Sequence, residues 1–472
     1  MTRWLRDLAR RGAVLAACGL AMAYAGCRDK TERPPNLFLV SVDSLRADFL
    51  ACYDGNANVG LHLCGLGQAG TRYAWAFAPA SSSASSIASL LTSRYPSTHG
   101  VGESAATFLA DEFVTLAESL RDAGYATAAF VGSPELNRSR NLQQGFDLYD
   151  DRTSRTQPAG MPWRRASETT TAALAWLQSA KSPWFVWVHY REPHGPYESP
   201  AERDPDAGLR ASNAPGERLR VLTTPTGRGG IPGYQAIPGL FTREGYEARY
   251  REAIRSVDLQ IERLVASLET TDQQFGMLVT ADHGEAFGED RYYFSHGHSV
   301  GLDQIRVPLI WRSPRGGRPD EIRVPVSTLD VMPTLLRAAG IEPPASLQGW
   351  QLPDRDDPPG APEQARAVFS EHPLQVSVVS GENFYSRLRE PTVPMTRQAA
   401  TGVTPEYLRA TVARAARLGA REDTLPPTEP ARTTGIAQLL EPLLADFATR
   451  RSRASTDPGN ETLKDPRKNP RS

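Results

Sequence analysis

Asn36-Leu37-Phe38-Leu39-Val40-Ser41-Val42-Asp43-Ser44 and Gly276-Met277-Leu278-Val279-Thr280-Ala281-Asp282-His283-Gly284-Glu285 follow one pattern, a short apolar run that stops on an acidic residue. Runs of this length and β-branched content read as buried strands. In a parallel sheet, ligands gather beyond the carboxyl ends of the strands, so Asp43 and Asp282 are expected to face one crevice. A lone aspartate after a strand is ordinarily a turn residue or a helix cap. Asp-His followed by Gly points further, because carboxylate and imidazole are both good donors to a divalent ion.

Working outward, further strands are predicted at Ala126–Val131, Trp184–Val188 and Val307–Trp311. Helical periodicity lies between them. Val114–Ala123 stops at Gly124, Ser167–Ser179 has Ala, Leu and Trp at helical spacing, and Tyr250–Leu268 carries one apolar stripe. Asp330 opens another helix, which ends before Gly340. Strands alternating with helices imply an α/β fold with a mixed, largely parallel sheet sandwiched by helices. Ser199–Glu244, rich in Pro, Gly and Arg, interrupts the rhythm and reads as a long loop bordering the crevice. After Gly340 the alternation fades. Ala367–Glu371 reads as a strand and Gly435–Arg450 as an amphipathic helix, giving a small C-terminal α+β subdomain over 346–450. Arg451–Ser472 reads as a disordered tail.

The chain has 472 residues and a formal charge of −1, so nothing in its balance suggests a nucleic-acid partner. Lysine occurs only at 30, 181, 464 and 468, so a clamp for an anion has to use Arg, His or metal. Of eight histidines, five fall in three short segments, namely His189 and His194, His283, and His296 and His298. A lone histidine is more often structural. Five grouped in this way favour a site for an oxyanion.

Met1–Arg11 carries Arg3, Arg6, Arg10 and Arg11, and an apolar stretch from Ala13 to Ala25 leads to Gly26-Cys27. This reads as an export signal over 1–27 of the lipoprotein type, with Cys27 lipidated, followed by a tether over 28–35. Cys18 and an Arg10-Arg11 twin-arginine signal are weaker alternatives. An exported context permits a Cys52–Cys64 disulfide, and two free thiols fit equally well.

The segments Val42-Asp43-Ser44-Leu45-Arg46-Ala47-Asp48, His189-Tyr190 with Glu192-Pro193-His194-Gly195-Pro196-Tyr197, Ala281-Asp282-His283-Gly284-Glu285, and His296-Gly297-His298 occur in that order. Together they resemble the sulfatase family of the alkaline-phosphatase superfamily, over roughly residues 35 to 350. The resemblance implies a catalytic domain over 36–345 and one divalent metal (Ca, Mg, Mn or Zn) held by Asp43, Asp282, His283 and Ser83. It also implies that His194 and His296, with His189 and His298 behind them, donate to the ester oxygens.

The family's C/S-x-P-x-R motif, whose first residue becomes formylglycine, is not kept. Counting back from Ala88-Ser89-Leu90-Leu91-Thr92 puts Ser83 at the nucleophile position, with Ser85 and Ile87 where Pro and Arg are expected. Formylglycine is therefore not expected, and sister branches that use an unmodified hydroxyl transfer phosphoryl groups. The lysine-and-histidine segment of arylsulfatases is also absent, because Gly132-Ser133-Pro134-Glu135-Leu136-Asn137 follows the strand at 126–131. Three readings follow: a periplasmic or cell-envelope hydrolase of sulfate or phosphate esters, a phosphoryl transferase or phosphodiesterase using unmodified Ser83, and a non-catalytic surface binding protein. The expected partner is a sulfated or phosphorylated small molecule, glycan or lipid headgroup, with the membrane reached through a lipid anchor.

Overall fold

The computed structural model describes residues 33–53, 58–153, 155–156, 162–197, 215–270, 274–316, 320–353, 366–388, 414–417, 438 and 440–447. The export signal with Cys27, nearly all of the tether, residues 199–214 of the long loop and the tail beyond 450 lie outside the described residues. By its contacts the chain divides into residues 1–34 and 35–472, and the second unit holds everything that follows.

Its centre is an eight-stranded sheet. The strands are β1 (Asn36–Val42), β2 (Thr71–Tyr73), β3 (Ala126–Val131), β4 (Leu148–Asp150), β5 (Trp184–Tyr190), β6 (Phe275–Ala281), β7 (Leu309–Arg312) and β8 (Asp320–Ile322). They are ordered β8-β2-β7-β6-β1-β5-β3-β4. All neighbours pair in parallel except at β7, which runs antiparallel to both β6 and β2. The sheet is thus mixed and largely parallel, as its apolar runs imply. β1 is buried along its whole length because it lies between two parallel partners under helices on either side.

The predicted strand at Val307–Trp311 is divided in two. Arg306–Val307 pairs with Ala76–Phe77 in a separate small sheet, and β7 starts only at Leu309. Pro308, between them, has no N–H to give a ladder. β2, β4 and β8 are three residues each, too short to show a period in the sequence.

The helices pack in two groups. α1 (Leu61–Gln68), α4 (Ala166–Leu177) and α5 (Arg243–Glu269) form one, and α2 (Ser83–Thr92), α3 (Leu116–Asp122) and α6 (Val331–Ala338) the other. α3 starts after Thr115, which closes a capping box with Glu118. α5 starts seven residues before the predicted Tyr250, because the Thr242 hydroxyl accepts from Gly245 N and holds the first turn. Its Tyr250, Ile254, Val257, Ile261, Leu264 and Leu268 are buried on one stripe. Cys52 and Cys64 are joined by a disulfide, with Cα atoms 5.6 Å apart, which decides between the two readings of that pair.

Beyond α6 lies a four-stranded antiparallel sheet of Ala367–His372, Gln375–Ser380, Asn383–Leu388 and Arg414–Arg417. Leu440, Leu444 and Phe447 from the predicted 435–450 helix pack with Val376, Val378, Tyr385 and Tyr95. No helix among the described residues is long and apolar enough to cross a membrane.

Candidate active site

Sheet register brings the first acidic pair together. Val42 lies opposite Tyr190 on one side and Ala281 on the other, so Asp43 and Asp282 leave adjacent strands at the same level. The Ser44 backbone follows in the left-handed region, at φ 61. That conformation is costly for a residue with a Cβ and is over-determined here. Ser44 N donates to Asp282 Oδ1 at 3.0 Å, its hydroxyl donates to Asp43 Oδ1 at 3.0 Å, and Tyr250 Oη donates to its carbonyl at 2.6 Å. Arg46 ties the same loop to the other one, donating to Asp48 and to the Glu285 carbonyl and the Glu289 carboxylate. Gly284 admits no side chain, because a Cβ there would lie 2.1 Å from the Asp303 carbonyl oxygen.

α2 delivers Ser83 to this place. Ser82 caps the helix in an extended conformation and Ser83 is its first residue, so the Ser83 hydroxyl sits at the positive end of the helix dipole. Ser83 Oγ is 3.0 Å from His283 Nε2 and 3.5 Å from Asp43 Oδ1. Ser86 Oγ donates to the Asp282 carbonyl at 2.5 Å and anchors the first turn. His283 Nδ1 lies 2.8 Å from the Gly284 carbonyl, which can only accept, so Nδ1 carries the proton. Nε2 therefore presents a lone pair to Ser83 and to the carboxylates.

Burial alone would raise the Asp43 carboxyl, but the rings of His194, His189 and His283 outweigh it and hold Asp43 well below the usual range. Asp282 moves the other way, raised by burial against the pull of His283 and further by the Asp43 charge. Asp282 Oδ2 is buried and has no hydrogen-bond partner. Ligand atoms of Asp43, Asp282 and His283 lie within 4.8 Å of one another. An orphaned carboxylate oxygen beside a second carboxylate and an imidazole lone pair fits a divalent ion, which would satisfy all of them.

The remaining histidines differ in their surroundings. His194 Nδ1 is 2.7 Å from the Gly195 carbonyl and 3.1 Å from Arg191 Nη2, and its ring stands 5.0 Å from that of His296. Burial lowers the His194 pKa, with Asp43 opposing. For His296 burial also works downward, but the Glu285 carboxylate, 3.1 Å from Nδ1, overcomes it and pushes the pKa up to about 9. Tyr197 Oη holds the other Glu285 oxygen at 3.0 Å. His189 is fully buried, with Nδ1 against Ser41 Oγ and Nε2 3.8 Å from Asp43 Oδ2. His298 stacks on Tyr292 at 3.8 Å, accepts from Gln304 at Nε2, and is pushed by burial down to about 3.

Residues 35–341 match the family described as Sulfatase. The chain belongs to the sulfatase family. It is 25% identical over 389 residues to the uncharacterised sulfatase YidJ of Escherichia coli (strain K12), covering 72% of this chain and 74% of the relative. It is 25% identical over 395 residues to the steryl-sulfatase of Mus musculus, covering 66% and 63%. Among solved structures, the phosphonate monoester hydrolase of Agrobacterium radiobacter superposes with a TM-score of 0.63 at 20% identity, over 87% of this chain and 96% of that one. An enzyme solved in complex with its substrate D-glucosamine-2-N,6-O-disulfate superposes with a TM-score of 0.67 at 16% identity, over 91% and 100%. At those identities the superpositions establish the fold.

Several polar residues at this sulfatase-family site carry no role in the sequence reading. Glu285 and Arg46 stand inside the quoted motifs, but their work on His296 and on the two acidic loops depends on contacts more than 200 residues apart for Arg46. Ser133, which follows β3, donates to Asp43 Oδ2 at 2.9 Å across the end of β5, the strand between β3 and β1. The long loop between β5 and α5 borders the same place within its described part. Gln235 packs so closely on Gly195 that a Cβ there would meet Gln235 Oε1 at 1.8 Å.

Proposed function

We propose that this sulfatase-family chain is a metal-dependent hydrolase of sulfate or phosphate esters, with unmodified Ser83 as nucleophile. The observation that carries the reading is the Ser83 hydroxyl at a helix N-terminus, 3.0 Å from His283 Nε2 and 3.5 Å from Asp43 Oδ1. Asp43, Asp282, His283 and Ser83 would hold the divalent ion, which when bound lowers the pKa of a hydroxyl and neutralises charge on a tetrahedral anion.

Ser83 loses its hydroxyl proton to solvent water and attacks the sulfur or phosphorus atom in line with the ester bond, and that bond breaks as the new one forms. The helix dipole favours the ionised hydroxyl. His296, kept cationic by Glu285, stands ready to give a proton to the departing oxygen. His194 steadies a non-bridging oxygen, its ring fixed through Nδ1 by Gly195. Water then cleaves the Ser83 ester and releases the inorganic anion. Phosphoryl transfer is favoured over sulfuryl transfer by Ser85 and Ile87 at the positions that direct formylglycine formation, both of them buried.

The same reading places the protein outside the cytoplasm, carried there by the segment ending at Cys27 and tethered through it, with a glycan, lipid headgroup or small ester as substrate. The test is turnover of aryl sulfate, phosphate monoester, phosphodiester and phosphonate substrates by the metal-loaded protein lacking residues 1–27. Ser83→Ala and mass analysis of the Ser83 peptide accompany it. Phosphoester turnover that disappears in Ser83→Ala, with an unmodified peptide, supports the reading. Turnover that survives in Ser83→Ala sinks it, and binding without turnover would leave a surface binding protein.

A further inference from the structure

We propose that Tyr234 is a specificity-determining residue, whose side chain forms the wall of the crevice that takes the leaving group and selects esters in which that group carries a ring. The proposal rests on the hydrolase reading above and names the substrate class for the same site. Tyr234 is the middle residue of a short 3₁₀ turn, Gly233–Gln235, in the long loop between β5 and α5.

The turn is fixed against the two segments that carry His194 and His296. The Gln235 side chain is fully buried and lies across both. It fills the space where a Gly195 Cβ would stand, and its Nε2 donates to the Phe294 carbonyl at 3.0 Å. The Gln235 carbonyl accepts from Tyr246 Oη at 2.8 Å, and that hydroxyl oxygen accepts from Ile237 N at 3.1 Å. Upstream, the loop is bonded to the residues that precede His296. Gly229 N donates to the Arg291 carbonyl at 2.7 Å, Tyr293 N to that of Gly227 at 3.0 Å, and Ser295 Oγ to that of Thr226 at 3.1 Å. A turn held from both sides belongs to the rigid wall, as a recognition residue requires.

Tyr234 is surrounded by protein yet half-open to solvent, as a side chain lining a crevice is. Burial and then the Glu285 charge keep its hydroxyl protonated, and Arg191 and Glu135 also lie within electrostatic reach. Glu285, Arg191 and Glu135 stand past the carboxyl ends of β6, β5 and β3. Tyr234 therefore meets the mouth of the same crevice as the metal-ligand loops.

Contacts lead from the nucleophile to this wall. Ser83 Oγ is 3.0 Å from His283 Nε2, the His283 ring is 4.2 Å from that of His296, and the His194 ring is 5.0 Å from His296, with Gln235 behind Gly195. In-line attack by Ser83 sends the leaving oxygen away from α2, towards these two rings and the turn. A leaving group with a ring can lay it against Tyr234, whereas a short alkyl group leaves that surface to water. Ring contact and the apolar area it covers are together worth on the order of tenfold in kcat/KM.

The experiment measures kcat/KM of the metal-loaded protein for three esters of the anion it turns over, sulfate or phosphate. They are the phenyl ester, the glucose ester at the primary hydroxyl and the trifluoroethyl ester, each tested in wild type, Tyr234→Phe, Tyr234→Leu and Tyr234→Ala. Tyr234→Ala is expected to lose on the order of tenfold on a ring ester and less than about threefold on the trifluoroethyl ester. Tyr234→Leu, which keeps bulk in the wall, should lose nearly as much, and Tyr234→Phe should stay close to wild type. The ring series that suffers, phenyl or glucose, tells an aryl from a sugar leaving group. A structural defect would depress all three esters together. Parallel losses in both Tyr234→Leu and Tyr234→Ala therefore overturn the proposal, as does a Tyr234→Phe that falls as far as Tyr234→Ala. If no ester turns over, the hydrolase reading fails by itself. Ring selection is then decided by calorimetric binding of phenyl sulfate and glucose sulfate against methyl sulfate, in wild type and Tyr234→Ala. A ring preference that Tyr234→Ala abolishes supports it, and equal binding or none overturns it.

Discussion

One ten-residue helix, α2, carries two buried serine–histidine pairs with nearly the same geometry. Ser83 Oγ lies 3.0 Å from His283 Nε2, and six residues later Ser89 Oγ lies 2.8 Å from His99 Nε2. Their surroundings separate them. His99 accepts from Val101 N at Nδ1, so its Nε2 carries the proton, with Ser89 Oγ and the Ser85 carbonyl as acceptors, and both ring nitrogens are satisfied. Burial drives its pKa down to about 3. His283 has its proton committed to a carbonyl and its lone pair turned to a hydroxyl at a helix N-terminus, beside two carboxylates, one with an orphaned oxygen. A serine beside a histidine is therefore not a site in itself. Unbalanced charge and unsatisfied atoms around the pair distinguish the one that has work to do.

The sharpest way to break this comparison is to remove each hydroxyl in turn. Ser83→Ala should reduce kcat/KM on the order of 10³-fold or more, with an unchanged unfolding midpoint. Equal losses of activity in Ser83→Ala and Ser89→Ala would end the distinction. Next in size is the carboxylate pair. Asp282→Asn should weaken metal binding on the order of 100-fold, read by metal content after dialysis. Saturating metal at about 100 times its dissociation constant should stabilise the wild type by about 2.7 kcal/mol in thermal unfolding, and Asp282→Asn far less.

The third test uses pH on the metal-free protein. The His99 pKa falls from 6.5 in an unfolded chain to about 3 in the fold. Between those values the unfolded state binds a proton that the folded state refuses. Its contribution is therefore fully present above about pH 6.5 and is lost as the pH falls towards 3, at about 1.4 kcal/mol per pH unit. His99→Gln should flatten the fall in unfolding free energy over that window, and an unaltered slope would show that His99 takes up its proton in the fold. The smallest effect belongs to Ser89→Ala. It removes one hydrogen bond while the Ser85 carbonyl still accepts from the His99 ring, at a cost of about 0.5–1.5 kcal/mol in denaturant unfolding, with kcat/KM within a few-fold of wild type.

What the sequence alone determined is local and repetitive. Seven-residue apolar runs at Asn36–Val42 and Phe275–Ala281 are strands in any context that buries them, and the stripe on α5 admits one face. Asp43, Asp282 and His283 are legible because they adjoin such runs, and Ser83 because it stands a fixed distance before an apolar helix. The direction of β7, the break at Pro308 and the three-residue strands were settled by pairing with distant chain, since elements that short have no period to read. The same limit governs the site. The sequence singles out five of eight histidines by their grouping but not their charge states, and only the tertiary structure sets Glu285 beside His296, encloses His298 and His99, and joins Glu135 to Asp43 through Ser133. A side chain's charge depends on what surrounds it in space, and those neighbours come from chain segments that sequence order does not bring together.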